Sequence, residues 1–372
     1  MAKSRFELTV SPEYVPNWTI VEAVRELFQN ALDVAETSEG KSAMGWEYDA
    51  GMERLHIWNE NASLSKQSLL FGSTTKTDEA TSIGKFGEGY KLAFLTLARL
   101  GYKVTVFNRM NKEKWLPKII KSRRYGSDLL VVDTERVYAK LKSDTLTFTI
   151  EGVTQDDFEK ISDSNLHIKP IEVLHETGFG NILKGCAGKI FIKGLFVCKK
   201  ADLAYGYDIL PPYIETNRDR DLIADFNLTW ATSQMWVSAD QPMVVSKMVK
   251  NETLDTTYVS SFNAIELSET MAADFKAMHG KYAIPVTTQD EYDIIKKTYK
   301  RLKPVFCRPQ EHKVIYQTIA NEVIYTATKR EDRRYPKEIM EEFFDKHKYN
   351  MPEKTRSRLK DIVEMSKSWM YI

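Results

Sequence analysis

The feature that most constrains this chain is the glycine run Gly84-Lys-Phe-Gly87-Glu-Gly89, which opens directly into a compact apolar stretch, Tyr90–Leu100. The stretch reads as a helix, and Gly101 is placed to end it. Glycines let a backbone come close to a phosphate. The helix start behind them offers free amides and the positive end of the helix dipole to an anion. A glycine cluster alone is also an ordinary turn, so spacing has to narrow the choice. A P-loop needs Gly-Lys-Ser/Thr at the helix start, which is missing here, and the dinucleotide fingerprint runs GxGxxG after a strand. Here the order is GxxGxG, and a polar segment precedes it, Gly72–Ser82, rich in Ser, Thr, Lys and Asp. That segment has neither helical nor strand period and reads as a long loop, of the kind that is functional or disordered in compact domains.

Upstream, Thr19-Ile-Val-Glu22 has the spacing of a capping box. It predicts a helix to about Glu36, with Val21, Val24, Leu27, Phe28, Ala31 and Leu32 among its apolar members. Glu26, Asn30 and Asp33 fall at i, i+4 and i+7 and project from one face. Such a stripe is commonly a solvated helix face. A carboxylate beside an amide can also hold a hydrated magnesium ion and orient an attacking water.

The rest of the chain mixes strands and helices. Phe6–Val10 reads as a strand, and Ala43–Asp49 with Arg54–Asn59 as a hairpin turning at Asp49-Ala-Gly51. Further strands are expected at Lys103–Asn108, Trp115–Lys121, Asp128–Asp133 and Leu146–Ile150, and a short helix at Asp156–Ile161. Gly188–Cys198 reads as one strand with a partner near Tyr205–Leu210, and Leu222–Val237 as a helix. Ala283–Thr287, Gln289–Leu302 and Lys303–Cys307 read strand, helix, strand, and Pro336–Trp369 as a charged helical tail.

Composition excludes some classes. No run approaches the ~18 uninterrupted apolar residues of a membrane span. Met1–Glu7 lacks the apolar core of a secretory signal. The three cysteines, Cys186, Cys198 and Cys307, form no CxxC pair and read as reduced thiols of a cytoplasmic protein. The six histidines show no metal-ligand spacing. A net charge of +1 does not announce a nucleic-acid partner. From Arg301 onward, however, 16 Lys/Arg stand against 11 Asp/Glu, which is either a set of solvated helix faces or a basic docking surface.

Taken together, Glu26-Leu-Phe-Gln-Asn30-Ala-Leu-Asp33, then Gly72-Ser-Thr-Thr-Lys76, then Gly84-Lys-Phe-Gly87-Glu-Gly89-Tyr-Lys91 resembles the gyrase, heat-shock chaperone, histidine kinase and MutL (GHKL) ATPases. In that family a helix carries E-x-x-x-N-x-x-D, a strand and turn carry D-x-G-x-G, and a lid and a GxxGxG turn follow. The resemblance runs from residue 6 to about residue 150, with a weaker echo to about 220. It implies a Bergerat-type two-layer α/β sandwich over 1–165 and a smaller transducer-like α/β unit over 166–275; the pattern beyond reads as a small α/β unit with a helical, charged C-terminal region over 276–372, and the whole as an α+β chain.

The resemblance also implies roles. Glu26 would polarise the attacking water, Asn30 would coordinate Mg²⁺, and Asp33 would lie near the nucleotide. Gly84, Gly87 and Gly89, with Phe86 and Glu88 between them, would wrap the phosphates, with Lys76, Lys85 and Lys91 as nearby cations. Thr145 matches the threonine that supports the adenine pocket. Arg218 or Arg220 would reach the γ-phosphate from the second unit, or else form an ion-pair cluster with Asp219 and Asp221. One motif departs from the family. Asn59 stands where an aspartate should accept the adenine amino group, and Asn61 and Ser63 replace glycines. An amide offers both a donor and an acceptor, so it reads adenine or relaxes base choice.

The function implied is Mg²⁺-dependent ATP hydrolysis that drives a conformational switch. The alternatives are a nucleotide-binding interaction module with little turnover, and a nucleic-acid or chaperone-type machine with the C-terminal half as client surface. Nucleotide-dependent homodimerisation is a family behaviour, and no membrane partner is expected.

Overall fold

Period-two alternation in the first 151 residues builds one sheet. Its strands are β1 (Lys3–Leu8), β2 (Met44–Asp49), β3 (Arg54–Asn59), β4 (Lys103–Asn108), β5 (Glu113–Lys121), β6 (Asp128–Arg136) and β7 (Leu146–Glu151). Their order is β1-β6-β5-β4-β7-β3-β2, and every neighbouring pair is antiparallel. This computed structural model describes residues 3–39, 41–70, 89–137, 144–214, 224–262, 264–328 and 336–365 of the 372.

Three helices follow from apolar periodicity and caps: α1 (Ile20–Thr37), α2 (Gly89–Arg99) and α3 (Gln155–Asp163). The capping box expected at Thr19 is present: its side chain accepts from the Val21 amide at 3.2 Å, and Glu22 accepts from the Thr19 amide at 2.8 Å. Leu27 and Phe28 of α1 and Phe94 and Leu97 of α2 share one buried core with Leu55, Ile57, Val106, Phe148 and Ile150 of the sheet. Helices and sheet therefore form two layers, each apolar stripe burying the other.

A second, five-stranded sheet contains β8 (Val173–Thr177), β9 (Gly180–Leu183), β10 (Lys189–Ile192), β11 (Leu195–Lys199) and β12 (Gly206–Ile209), in the order β11-β10-β12-β9-β8. The single strand expected over Gly188–Cys198 is instead the hairpin β10–β11. Lys193 and Gly194 turn it with φ of +49° and +75°, the left-handed pair that closes a tight hairpin. The apolar residues on both sides of the turn hide it in the sequence. The partner expected near Tyr205–Leu210 is β12, which pairs with β10 in parallel. Helix α4 (Asp225–Ser238) adds Trp236, whose indole donates to the Tyr207 hydroxyl at 2.8 Å; that hydroxyl donates to buried Asp255.

The chain divides into two compact units, Met1–Asp240 with Thr253–Tyr258, and Gln241–Glu252 with Val259–Ile372. The second holds α5 (Pro242–Lys250), α6 (Ile265–His279), β13 (Ala283–Val286), α7 (Gln289–Thr298), β14 (Lys303–Phe306), α8 (Pro309–Thr328), α9 (Pro336–His347) and α10 (Glu353–Met365). The expected strand–helix–strand is β13–α7–β14 with the strands parallel. The tail expected to be helical holds two helices among the described residues, α9 and α10, parted by a 3-10 turn at Lys348–Asn350 and by Pro352, which cannot continue a helix. The fold class is α+β. No helix among the described residues is long and apolar enough to cross a membrane.

Candidate functional site

The stripe on α1 is not a solvated face. Glu26 and Asp33 are each only 1% exposed, and Asn30 is half-buried between them. An ionised carboxylate withdrawn from water is costly unless something compensates it, so this stripe is there for a reason other than solubility. Arg25, also buried, places Nη2 3.5 Å from Glu26 Oε1 and donates from Nη1 to the Phe196 carbonyl of β11 at 3.5 Å. Its guanidinium also lies 5.8 Å from the Trp18 ring centroid. Arg25 thus joins the candidate base to the second sheet. Sequence reasoning missed it, because nothing in the α1 pattern separates it from a surface arginine.

Helix α2 begins against this stripe. A Cβ at Gly89 would meet Glu26 Oε2 and lie 3.3 Å from Asn30 Nδ2, so a larger residue here would displace the end of the Glu26 side chain. Asn30 donates from Nδ2 to the Glu26 carbonyl at 2.7 Å, which fixes the amide and leaves Oδ1 as its acceptor. An amide oxygen of this kind, with waters and phosphate oxygens, is a suitable ligand for Mg²⁺. Among the described residues no cluster of three or more His, Cys, Asp or Glu could hold a metal by itself. Lys91 is fully buried and donates to the Leu70 carbonyl. Tyr90 donates to the Ser68 carbonyl at 2.5 Å, and burial pushes its phenol up to about 12.

The sheet supplies a second group of residues. Asn59 ends β3 at 2% exposure and donates from Nδ2 to the Ala31 carbonyl at 2.9 Å and the Ser42 carbonyl at 3.2 Å. Opposed residues share a face, and Asn59, Leu146 and Asn108 are opposed across β3, β7 and β4. Asn108 is fully buried. It donates from Nδ2 to the Leu64 carbonyl at 2.7 Å, and its Oδ1 has no hydrogen-bond partner among the described residues. The strand reading reached Asn108 without marking it, since a polar residue ending a strand is unexceptional.

Thr145 falls on the other side of this strand. Arg109 donates to the hydroxyls of both Thr145 and Thr147, and Thr147 alternates away from Leu146. The structure therefore brings Glu26, Asn30 and Gly89 together and sets Asn59 and Asn108 in one row, but does not join Thr145 to them. Asn61, where the family has glycine, takes φ of +48°, a left-handed conformation that Asn tolerates. Lys76, Gly84, Lys85, Phe86, Gly87, Glu88, Arg218 and Arg220 lie outside the described residues, as does the loop Gly72–Ser82.

No protein-family model matches the chain. An uncharacterized protein of Mycoplasma pneumoniae is 24% identical over 212 residues, 53% of this chain and 80% of that protein. Similar solved structures include the ATPase region of Saccharomyces cerevisiae topoisomerase II, at 9% identity over 55% of this chain and 77% of that one, with a TM-score of 0.34. The same region bound to ICRF-187 (dexrazoxane) matches at 8% identity over the same 55% and 77%, with a TM-score of 0.35. The ATPase and transducer domains of Balamuthia mandrillaris DNA topoisomerase II match at 12% identity over 36% of this chain and 37% of that one, with a TM-score of 0.24. At such TM-scores the likeness is loose, and no residue's role is taken from it. In motif order and in the packing of its two motif helices on an antiparallel sheet, the chain resembles the GHKL ATPases.

Proposed function

We propose that the first unit binds ATP with Mg²⁺ and hydrolyses it. The observation that carries the reading is the burial of Glu26 beside Asn30, with the helix start at Gly89 packed directly against both. Glu26 accepts the proton of an attacking water and Asn30 Oδ1 ligates the metal. The metal, when bound, neutralises phosphate charge. Gly89 and the glycines before it bring backbone amides to the phosphates. Asn59 presents its carbonyl oxygen to the adenine amino group, because its amide hydrogens are already committed. Arg218 or Arg220 supplies a cation to the γ-phosphate.

Hydrolysis drives a conformational switch, accompanied by nucleotide-dependent pairing of two chains, in a cytoplasmic protein whose three cysteines, in no disulfide with one another, suit a reducing compartment. The C-terminal half is the surface for a protein or nucleic-acid client. Replacing Glu26 with Ala tests the chemistry: phosphate release should fall by roughly 10²–10⁴-fold while nucleotide still binds. Unchanged turnover would remove Glu26 as the base. Binding without phosphate release by the native protein would leave a nucleotide-binding module.

A further inference from the structure

We propose that a cleft bounded by the last turns of α1 and the second sheet is a binding site for a small organic cation, an apolar body carrying an ammonium or amidinium head. The cleft is open to solvent and has a volume of about 590 Å³, within the range of small-molecule sites. Leu32, Leu166, Ile171 and Leu183 give it apolar walls. Asp208 and Asn181 also line it, opposed across β12 and β9 and therefore on one face of the sheet. Few polar groups converging among apolar walls are what fixes the orientation of a small ligand.

The head group follows from charge. Asp208 Oδ1 accepts from the Gly194 amide at 2.7 Å, and its second oxygen has no hydrogen-bond partner among the described residues. Asn181 sets an amide beside it. The other carboxylate lining the cleft, Glu36, is paired with Lys193, so the charge left over is that of Asp208. His167 engages the Lys193 carbonyl at 2.8 Å. Burial raises the Asp208 carboxyl above its ordinary range, with the Gly194 amide and His167 opposing. A ligand cation would compensate that burial, whereas an anion would add to it.

Calorimetric titration of the full chain with benzamidine and with its neutral isostere benzamide tests the site. Benzamidine should bind saturably at one site, with benzamide at least about tenfold weaker. Asp208→Asn keeps an acceptor for the Gly194 amide and should reduce benzamidine to the benzamide level. Leu32→Trp fills the cleft from α1, leaves Asp208 in place, and should abolish binding of both. Absence of saturable benzamidine binding at millimolar concentration overturns the proposal, and so does equal affinity for the two probes. Undiminished benzamidine binding by either folded variant does the same.

Discussion

Asn59 commits both amide hydrogens to backbone carbonyls, one on α1 and one just ahead of β2. An aspartate at this position could accept from a base but could not donate to Ala31 or Ser42. Asn59→Asp, which restores the family residue, should therefore destabilise the protein by about 1–3 kcal/mol, because it strands buried carbonyls. Denaturant unfolding of the variant measures this. The sequence marked Asn59 as a departure but could not supply its reason, since Ala31 and Ser42 lie far from it along the chain. The same holds for α1. Spacing put Glu26, Asn30 and Asp33 on one face, but their burial depends on where α2 packs. Asn61, seen in the sequence only as a replacement for glycine, keeps the left-handed backbone because asparagine accepts it.

Among the elements, the edge strand β1 is tied down by charge. Arg5 of β1 holds Asp133 of β6 through Nε at 2.6 Å and Nη2 at 2.9 Å, and Lys118 of β5 approaches the same carboxylate at 2.7 Å. The hydrogen bonds from Arg5 first, and then Lys118, lower the Asp133 carboxyl from its ordinary 3.8 to about 2. A lowered carboxyl stabilises the fold fully above its unfolded value and loses that contribution as pH falls through its folded value. The stability advantage of the native protein over Asp133→Asn should therefore shrink between about pH 4 and about pH 2, which acid titration of the two proteins would show. An advantage that stays constant across that window would remove the linkage. The strands of this sheet were readable from alternation. The β10–β11 turn was not, because Lys193 and Gly194 interrupt an otherwise continuous apolar run.

At the scale of the whole molecule, the first unit carries the candidate chemistry, and the function of the second rests on composition alone. Within helices α8 to α10 acidic residues slightly outnumber basic ones, so the excess of Lys/Arg from Arg301 onward belongs to the sequence around these helices, and charge alone does not name a partner. On the proposed function, nucleotide binds where α2 begins against α1. The direct measurement is equilibrium binding of ATP with Mg²⁺ to the native protein and to Gly89→Ala, whose added Cβ crowds both the Glu26 carboxylate and, at 3.3 Å, the Asn30 amide proposed to hold the metal. The native protein should bind nucleotide at one site, and the variant should bind at least about tenfold more weakly with its fold retained. No binding by the native protein, or equal affinity in both, would contradict it.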